Sequence, residues 1–162
     1  MQEIKYKVML LNPQVEKTKE LLEKLNKGTN GTDGLDIAKK AYATEVSLIT
    51  EQPVELFGVG DGPICVAFTE KNEVLGFISV GIDTFSKTVV TEHVYVRPEV
   101  RKKGVYGLML ERVKKLAEDI GAKRIVSFVF NKNKVSKTAH ENKGFKKKMT
   151  GYIMEVKNGK KE

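Results

Sequence analysis

The chain has 162 residues, 40% hydrophobic and 31% charged. That is enough for one domain and too short for two comfortable ones, and it is not the composition of a disordered chain. One cysteine, Cys65, and two histidines exclude an internal disulfide and a four-ligand zinc site built from Cys and His, so no metal is expected.

The net charge of +8 is unevenly divided. Residues 1–96 carry 10 Lys against 14 Asp or Glu, a net of −4, and residues 97–162 carry 19 Lys or Arg against 7 Asp or Glu, a net of +12. The second part suits an anion: a nucleic acid or a multiply phosphorylated small molecule, beside the plain alternative of a solvated Lys-rich surface. No apolar run approaches the roughly 20 residues that span a bilayer, and residues 8–11 are too short an apolar stretch for a signal-peptide core. The expectation is a cytoplasmic protein without a membrane partner.

In chain order, residues 4–11 read as a strand stopped by Asn12-Pro13. Leu21, Leu22 and Leu25 then recur at helical spacing until Asn26-Lys27-Gly28, and a turn-rich break covers residues 28–34. A second helix is expected over residues 36–49, with Ile37, Ala41, Val46 and Leu48 inward. Residues 58–63 form a loop whose Gly58-Val59-Gly60-Asp61-Gly62 is followed by Pro63 and a strand, the wrong context for a dinucleotide fingerprint. Residues 64–69 and 74–82 read as a hairpin, and residues 88–96 as a further strand closed by Arg97-Pro98. The clearest helix spans residues 105–120, with Val113, Leu116, Ala117 and Ile120 on one face and Gly121 as its stop. A strand at 125–130, expected to be buried on both faces, a helix at 134–142 and a strand at 152–156 complete the order β-α-α-β-β-β-α-β-α-β. A strand–helix–strand unit demands a parallel crossover and the hairpins demand antiparallel pairs, so the fold class is α/β with a mixed sheet, in a single domain over residues 1–162.

The chemistry concentrates where a strand meets the best helix. After Val94 and Val96 come Arg101, Lys102, Lys103, Gly104, Val105, Tyr106 and Gly107. A helix start offers unpaired N–H groups and the positive end of the dipole, Gly104 lets a phosphate approach the backbone, and the basic residues add charge. A solvated basic loop explains this segment alone equally well. A second segment, from Asn133 through Ser136 and His140 to Gly144-Phe145, opens just after the next strand.

Together the two segments resemble the GCN5-related N-acetyltransferase superfamily. Arg101-x-x-Gly104 matches its loop, and Asn133, Ser136, His140, Gly144 and Phe145 occupy the places of its later signature. The resemblance covers about residues 74–156. Tyr106 stands where the family has Gly or Ala, and reads as an aromatic packing on the core. His140 stands where many members carry the Tyr that protonates the leaving thiolate.

The resemblance implies acetyl transfer from acetyl-CoA to an amine by direct attack in a ternary complex, with residues 74–156 binding acetyl-CoA and residues 1–60 walling the acceptor. It further implies that the backbone of Val94 and Val96 pairs with the pantetheine arm. N–H groups from Lys102 to Gly107 would hold the pyrophosphate, and Asn133 and Ser136 would line the pantetheine region. Glu92 matches the position of a general base acting through water, and His140 that of the proton donor. An obligatory imidazolium would make activity fade above about pH 6.5. His93 is expected on the opposite strand face from Glu92, as a packing or hydrogen-bonded residue, and Cys65 as a small buried hydrophobe. A mildly acidic wall suits a cationic acceptor: a polyamine, an aminoglycoside, or a lysine or N-terminal amine. A homodimer is compatible with the family. The competing readings are a CoA-binding or protein-interaction domain without turnover, and a basic nucleic-acid-binding domain. The latter is disfavoured because Phe128 and Phe130 fall in the strand expected to be buried.

Overall fold

The structure, a computed structural model, describes residues 3–29, 31–152 and 154. In chain order its elements are β1 (Tyr6–Leu11), α1 (Glu16–Lys27), α2 (Leu35–Thr50), β2 (Ile64–Thr69), β3 (Val74–Asp83), β4 (Thr88–Val96), α3 (Val105–Asp119), β5 (Arg124–Ser127) and α4 (Lys134–Asn142). The five strands lie side by side in that order, β1 to β4 antiparallel and β5 parallel to β4. The parallel pair is the product of the α3 crossover.

Helices cover both faces. On one, Leu22 and Leu25 of α1 and Ala38, Tyr42 and Val46 of α2 pack on Val66, Phe77 and Tyr95. On the other, Val105, Met109, Val113 and Ala117 of α3 pack on Cys65, Ala67, Ile78, Val80 and Val89. The central strands β2 and β3 therefore read as nearly unbroken apolar runs. Cys65 is fully buried, and that burial pushes its thiol pKa up to about 12, an inert hydrophobe as its surroundings dictate.

Four expectations need correction. The buried stripe of α2 runs through Leu35, Ala38, Tyr42, Ala43 and Val46, which leaves Ile37 and Leu48 51% and 76% exposed. Small Ala residues let the helix lie close to the sheet, and Tyr42 fills the space beside them. Ile120 is the C-cap of α3 and is exposed. The strand expected at residues 125–130 is β5, only four residues long. As an edge strand it has one neighbour, and Phe128 beyond it is 68% exposed, so the burial argument against nucleic acid fails for that residue; Phe130 packs edge-on to Phe57 at 5.2 Å. Of the strand expected at 152–156, Tyr152 and Met154 are irregular, and Ile153, Glu155 and Val156 lie outside the described residues. A short 3-10 turn, Val54–Phe57, was not anticipated; it buries Phe57 beneath α2.

Candidate active site

Thr91 and Ser127 are the last pair of the parallel ladder, and beyond them β4 and β5 separate. The opening holds a cavity of about 110 Å³ lined by residues of α2, β4, β5 and α4, among them Glu92, Ser127, Asn133, Ser136 and His140. One wall is the free edge of β4. The Arg97 N–H donates to the Leu75 carbonyl across the β3 side, which sets the phase of the ladder. Tyr95 pairs into β3, while Val94 and Val96 direct their N–H and C=O groups toward the opening. The Val96 carbonyl is already taken by Arg101 Nε at 2.8 Å, so Val96 faces the opening with its N–H alone.

A β-bulge lies in the same strand. Ser79 and Val80 are adjacent in β3, yet their partners in β4 are His93 and Thr91, so Glu92 is the extra residue. The bulge overturns the expected alternation: Glu92 and His93 turn to the same face. Gly81 makes room there, since a Cβ on it would lie 2.6 Å from the Glu92 carboxylate Oε1. Glu92 is exposed at the cavity, whereas His93 is half-buried and its Nδ1 bonds the Tyr42 hydroxyl at 2.9 Å. Burial lowers the His93 pKa, against a smaller opposing pull from Glu92, so it is neutral at pH 7.

Asn133 caps α4, its Oδ1 accepting from the Ser136 N–H at 3.1 Å. The cap presents His140 inward two turns later, 6% exposed, between Tyr106 and Phe145 with ring centroids 5.7 and 5.2 Å away. The Nδ1–H donates to the Ser136 carbonyl at 2.7 Å, which leaves Nε2 to accept from the Ser127 hydroxyl at 2.7 Å. Burial lowers the His140 pKa more than the Ser136 carbonyl raises it, so His140 too is neutral at pH 7. Tyr106 packs on the α3 face of the core, and burial lifts its phenol pKa to about 12.

At the N-terminus of α3, Gly104 adopts φ 87°, a left-handed turn that suits glycine. No N–H of residues 102–107 donates to a backbone carbonyl among the described residues, and no side chain caps the helix. Lys102 and Lys103 are exposed beside them. Arg101 is not free in the same way. Its Nη2 bonds both Glu45 carboxylate oxygens at 2.8 Å, its Nε donates to the Val96 carbonyl at 2.8 Å, and it stacks 5.9 Å from the Tyr95 ring centre. Its charge is matched by Glu45, so it fastens the loop to α2.

Sequence reasoning missed two residues here. Lys143, just past α4, places its ammonium 2.8 Å from where a Cβ on Gly107 would lie, a cation at the positive end of α3. Ser127 bonds His140 from across the cavity. Neither contact leaves a mark on local sequence, because each joins separate elements.

No curated protein sequence matches the chain. Among solved structures, an aminoglycoside acetyltransferase from an uncultured soil metagenomic sample is similar at TM-score 0.65 and 14% identity, over 95% of this chain and 100% of that one. A ribosomal-protein-alanine N-acetyltransferase from Brucella melitensis biovar Abortus 2308 is similar at TM-score 0.62 and 13% identity, over 94% and 100%. The aminoglycoside acetyltransferase AAC(6')-Iy, in complex with a CoA-linked bisubstrate analogue, gives TM-score 0.57 and 18% identity over 94% and 99%. At such identities the likeness is one of fold. The family model described as Acetyltransferase (GNAT) family matches residues 35–145, a span that contains the bulged strand, the uncapped α3 and the Asn133–His140 turn, and on that match the chain belongs to the GNAT acetyltransferase family.

Proposed function

We propose that the protein is an acetyl-CoA-dependent N-acetyltransferase that delivers acetyl to a primary amine by direct attack in a ternary complex. The observation that carries the reading is the juxtaposition of an open β4 edge with the uncapped N-terminus of α3. Val94, and Val96 through its N–H, receive the pantetheine amides as an added strand would be received. The N–H groups of residues 102–107 hold the pyrophosphate, with Lys102, Lys103 and Lys143 supplying charge and Arg101 holding the loop in shape. Asn133 and Ser136 line the pantetheine end of the cavity.

The nucleophile must be a neutral amine, and an alkylammonium has a pKa near 10, so a base has to take its proton. Glu92, exposed at the cavity on its bulge, is that base, acting through water. His140 handles the proton for the leaving thiolate through Nε2, since its Nδ1–H is committed to Ser136. A buried, neutral imidazole does not favour the obligatory imidazolium. The α1–α2 side of the cleft walls the acceptor, for which aminoglycosides and a ribosomal-protein alanine, named for structural neighbours, point to aminoglycosides and protein N-terminal amines as the first classes to try. The division into an acceptor-side part and an acetyl-CoA core follows from these roles, as does a cytoplasmic site of action where acetyl-CoA is made available.

The test is thermal stability with acetyl-CoA, CoA and ATP titrated separately, followed by thiol release with an amine panel. A ligand at 100 times its Kd adds about 2.7 kcal/mol. A saturable shift with acetyl-CoA larger than with ATP supports the reading; no shift with either CoA species at millimolar concentration overturns it. Binding without thiol release for any amine leaves a CoA-binding module.

A further inference from the structure

The cavity floor holds more polar chemistry than the family resemblance assigns. Ser127 Oγ lies 2.7 Å from His140 Nε2, and His140 Nδ1 lies 2.7 Å from the Ser136 carbonyl oxygen. All three residues line the cavity. A carbonyl oxygen can only accept, so the contact with Ser136 puts the proton on Nδ1, which fixes the tautomer and makes Nε2 a base. The order is hydroxyl, imidazole, orienting acceptor, the arrangement that moves a proton on and off an oxygen. Ser127 sits where β4 and β5 part, paired with Thr91. The Thr91 hydroxyl, 1% exposed, has no hydrogen-bond partner among the described residues, and it too lines the cavity. A buried hydroxyl without a partner is destabilising, so this corner suits a polar group entering from the cavity.

We propose that Ser127 and His140 form a proton relay that carries the amine proton to the departing thiolate, with Ser127 as the group that meets the reacting atoms. The inference rests on the acetyltransferase reading above. Once the neutral amine has added to the thioester carbonyl, its nitrogen bears a positive charge and the carbonyl oxygen a negative one. The nitrogen gives a proton to Ser127 Oγ as Oγ–H passes to His140 Nε2, and the imidazole becomes an imidazolium. When the C–S bond breaks and the C=O reforms, the thiolate takes the proton from Ser127 Oγ–H, and Nε2–H returns to Oγ. Amide and free thiol leave, and Ser127 and His140 end as they began. Glu92 remains the base that brings the incoming ammonium to its neutral form.

The environment makes the imidazolium short-lived and favours the return half of the cycle. The charged and titratable groups around His140 are the Tyr106 phenol from α3, Glu92 and His93 from β4 and Tyr42 from α2 across the cavity, with Lys137, Glu141 and Lys143 on or beside α4 itself. Among the described residues no carboxylate bonds the ring, so none of them holds a proton on Nε2. With imidazole at or below its usual pKa of about 6.5 and a thiol near 8.5, return of the proton to sulphur is downhill by roughly 100-fold or more.

The experiment compares Ser127→Ala, Ser127→Thr, His140→Gln and the Ser127→Ala/His140→Gln pair with wild type, by thiol release from acetyl-CoA with the best amine of the panel. Ser127→Ala should lower kcat about 100-fold or more with KM for acetyl-CoA unchanged. Ser127→Thr, which keeps the hydroxyl, should recover most of it, and the double variant should be no slower than the worse single one. The acid limb of the wild-type kcat profile, falling below pH 6.5, should disappear in both single variants. Thermal melts and CoA binding report whether each variant folds. A folded Ser127→Ala protein within about 3-fold of wild type, or single losses that multiply in the double variant, overturns the relay. An acetyl group found on Ser127 by intact mass also overturns it, in favour of a covalent intermediate. Wild-type protein that binds acetyl-CoA but releases no thiol with any amine overturns the transferase reading itself, an outcome visible before any variant is made.

Discussion

Replacing Glu45 separates two roles for Arg101. If the guanidinium fastens the α3 loop to α2, loss of either partner should disturb the loop alike; if it neutralises a phosphate, loss of Glu45 should free it and tighten binding. The ion pair is about one-third exposed on both sides, so its own worth is near the upper end for surface pairs, about 1 kcal/mol. Arg101 also donates to the Val96 carbonyl, a charge-assisted bond worth about 1.5 kcal/mol, and its stacking on Tyr95 adds about 0.5 kcal/mol. Glu45→Ala should therefore cost about 1 kcal/mol, a fall in Tm of about 2–4 °C at this size, and Arg101→Ala about 3 kcal/mol. A double-mutant cycle on denaturant unfolding should return about 1 kcal/mol of coupling. Calorimetric titration with acetyl-CoA is the decisive assay. Both single variants should weaken binding, by about 10-fold each if the loop loses about 1.4 kcal/mol of preorganisation. Tighter binding in Glu45→Ala, or a loss confined to Arg101→Ala, refutes the fastening role.

Two other outcomes follow from the same geometry. His93 and His140 both have folded-state pKa values below that of the unfolded chain. Their neutral burial therefore contributes stability that is fully present above about pH 6.5 and is lost as pH falls through the lowered native values. Tm should drop on the acid side of pH 6.5, and His140→Gln should flatten part of that slope; a flat profile between pH 7 and 5 contradicts the assignment. Lys143→Ala should weaken acetyl-CoA binding about 3- to 10-fold and reduce its salt dependence, because the ammonium lies over Gly107 at the α3 start. An unchanged Kd at low salt would place the phosphates elsewhere.

The parts of the fold that were legible are those where one periodicity dominates. Val113 and Ala117 of α3 both face the core, and Gly121 follows its end with φ 70°. In α2 apolarity misled: Ile37 and Leu48 are more hydrophobic than Ala38 and Ala43, but close approach to the sheet selects the small residues. The bulge at Glu92 could not be read from β4 alone, because an extra residue is defined only against a partner strand. The basic loop was recognisable as a short sequence run, whereas the partners that complete it, Glu45 on α2 and Lys143 beyond α4, are far away in the chain. His140 was found by its spacing from Asn133, but its tautomer depends on Ser127 across the cleft.

The free edge of β4 has a consequence for solubility. A run of outward-facing N–H and C=O groups is a template on which another chain can nucleate a sheet. Here several features oppose that. Pairing with β5 closes the edge up to Thr91, Arg101 occupies the Val96 carbonyl, and Pro98 follows at once, a residue with no N–H to extend a ladder. The stretch between is residues 92–96, and it opens beside β5 and α4 rather than at the rim of the sheet. An extended ligand of one strand's width has access to it, while a neighbouring protein edge meets those two elements first. The same short gap that admits a narrow ligand thus shields this edge of β4 from another protein chain, and the edges of the sheet proper are β1 and β5.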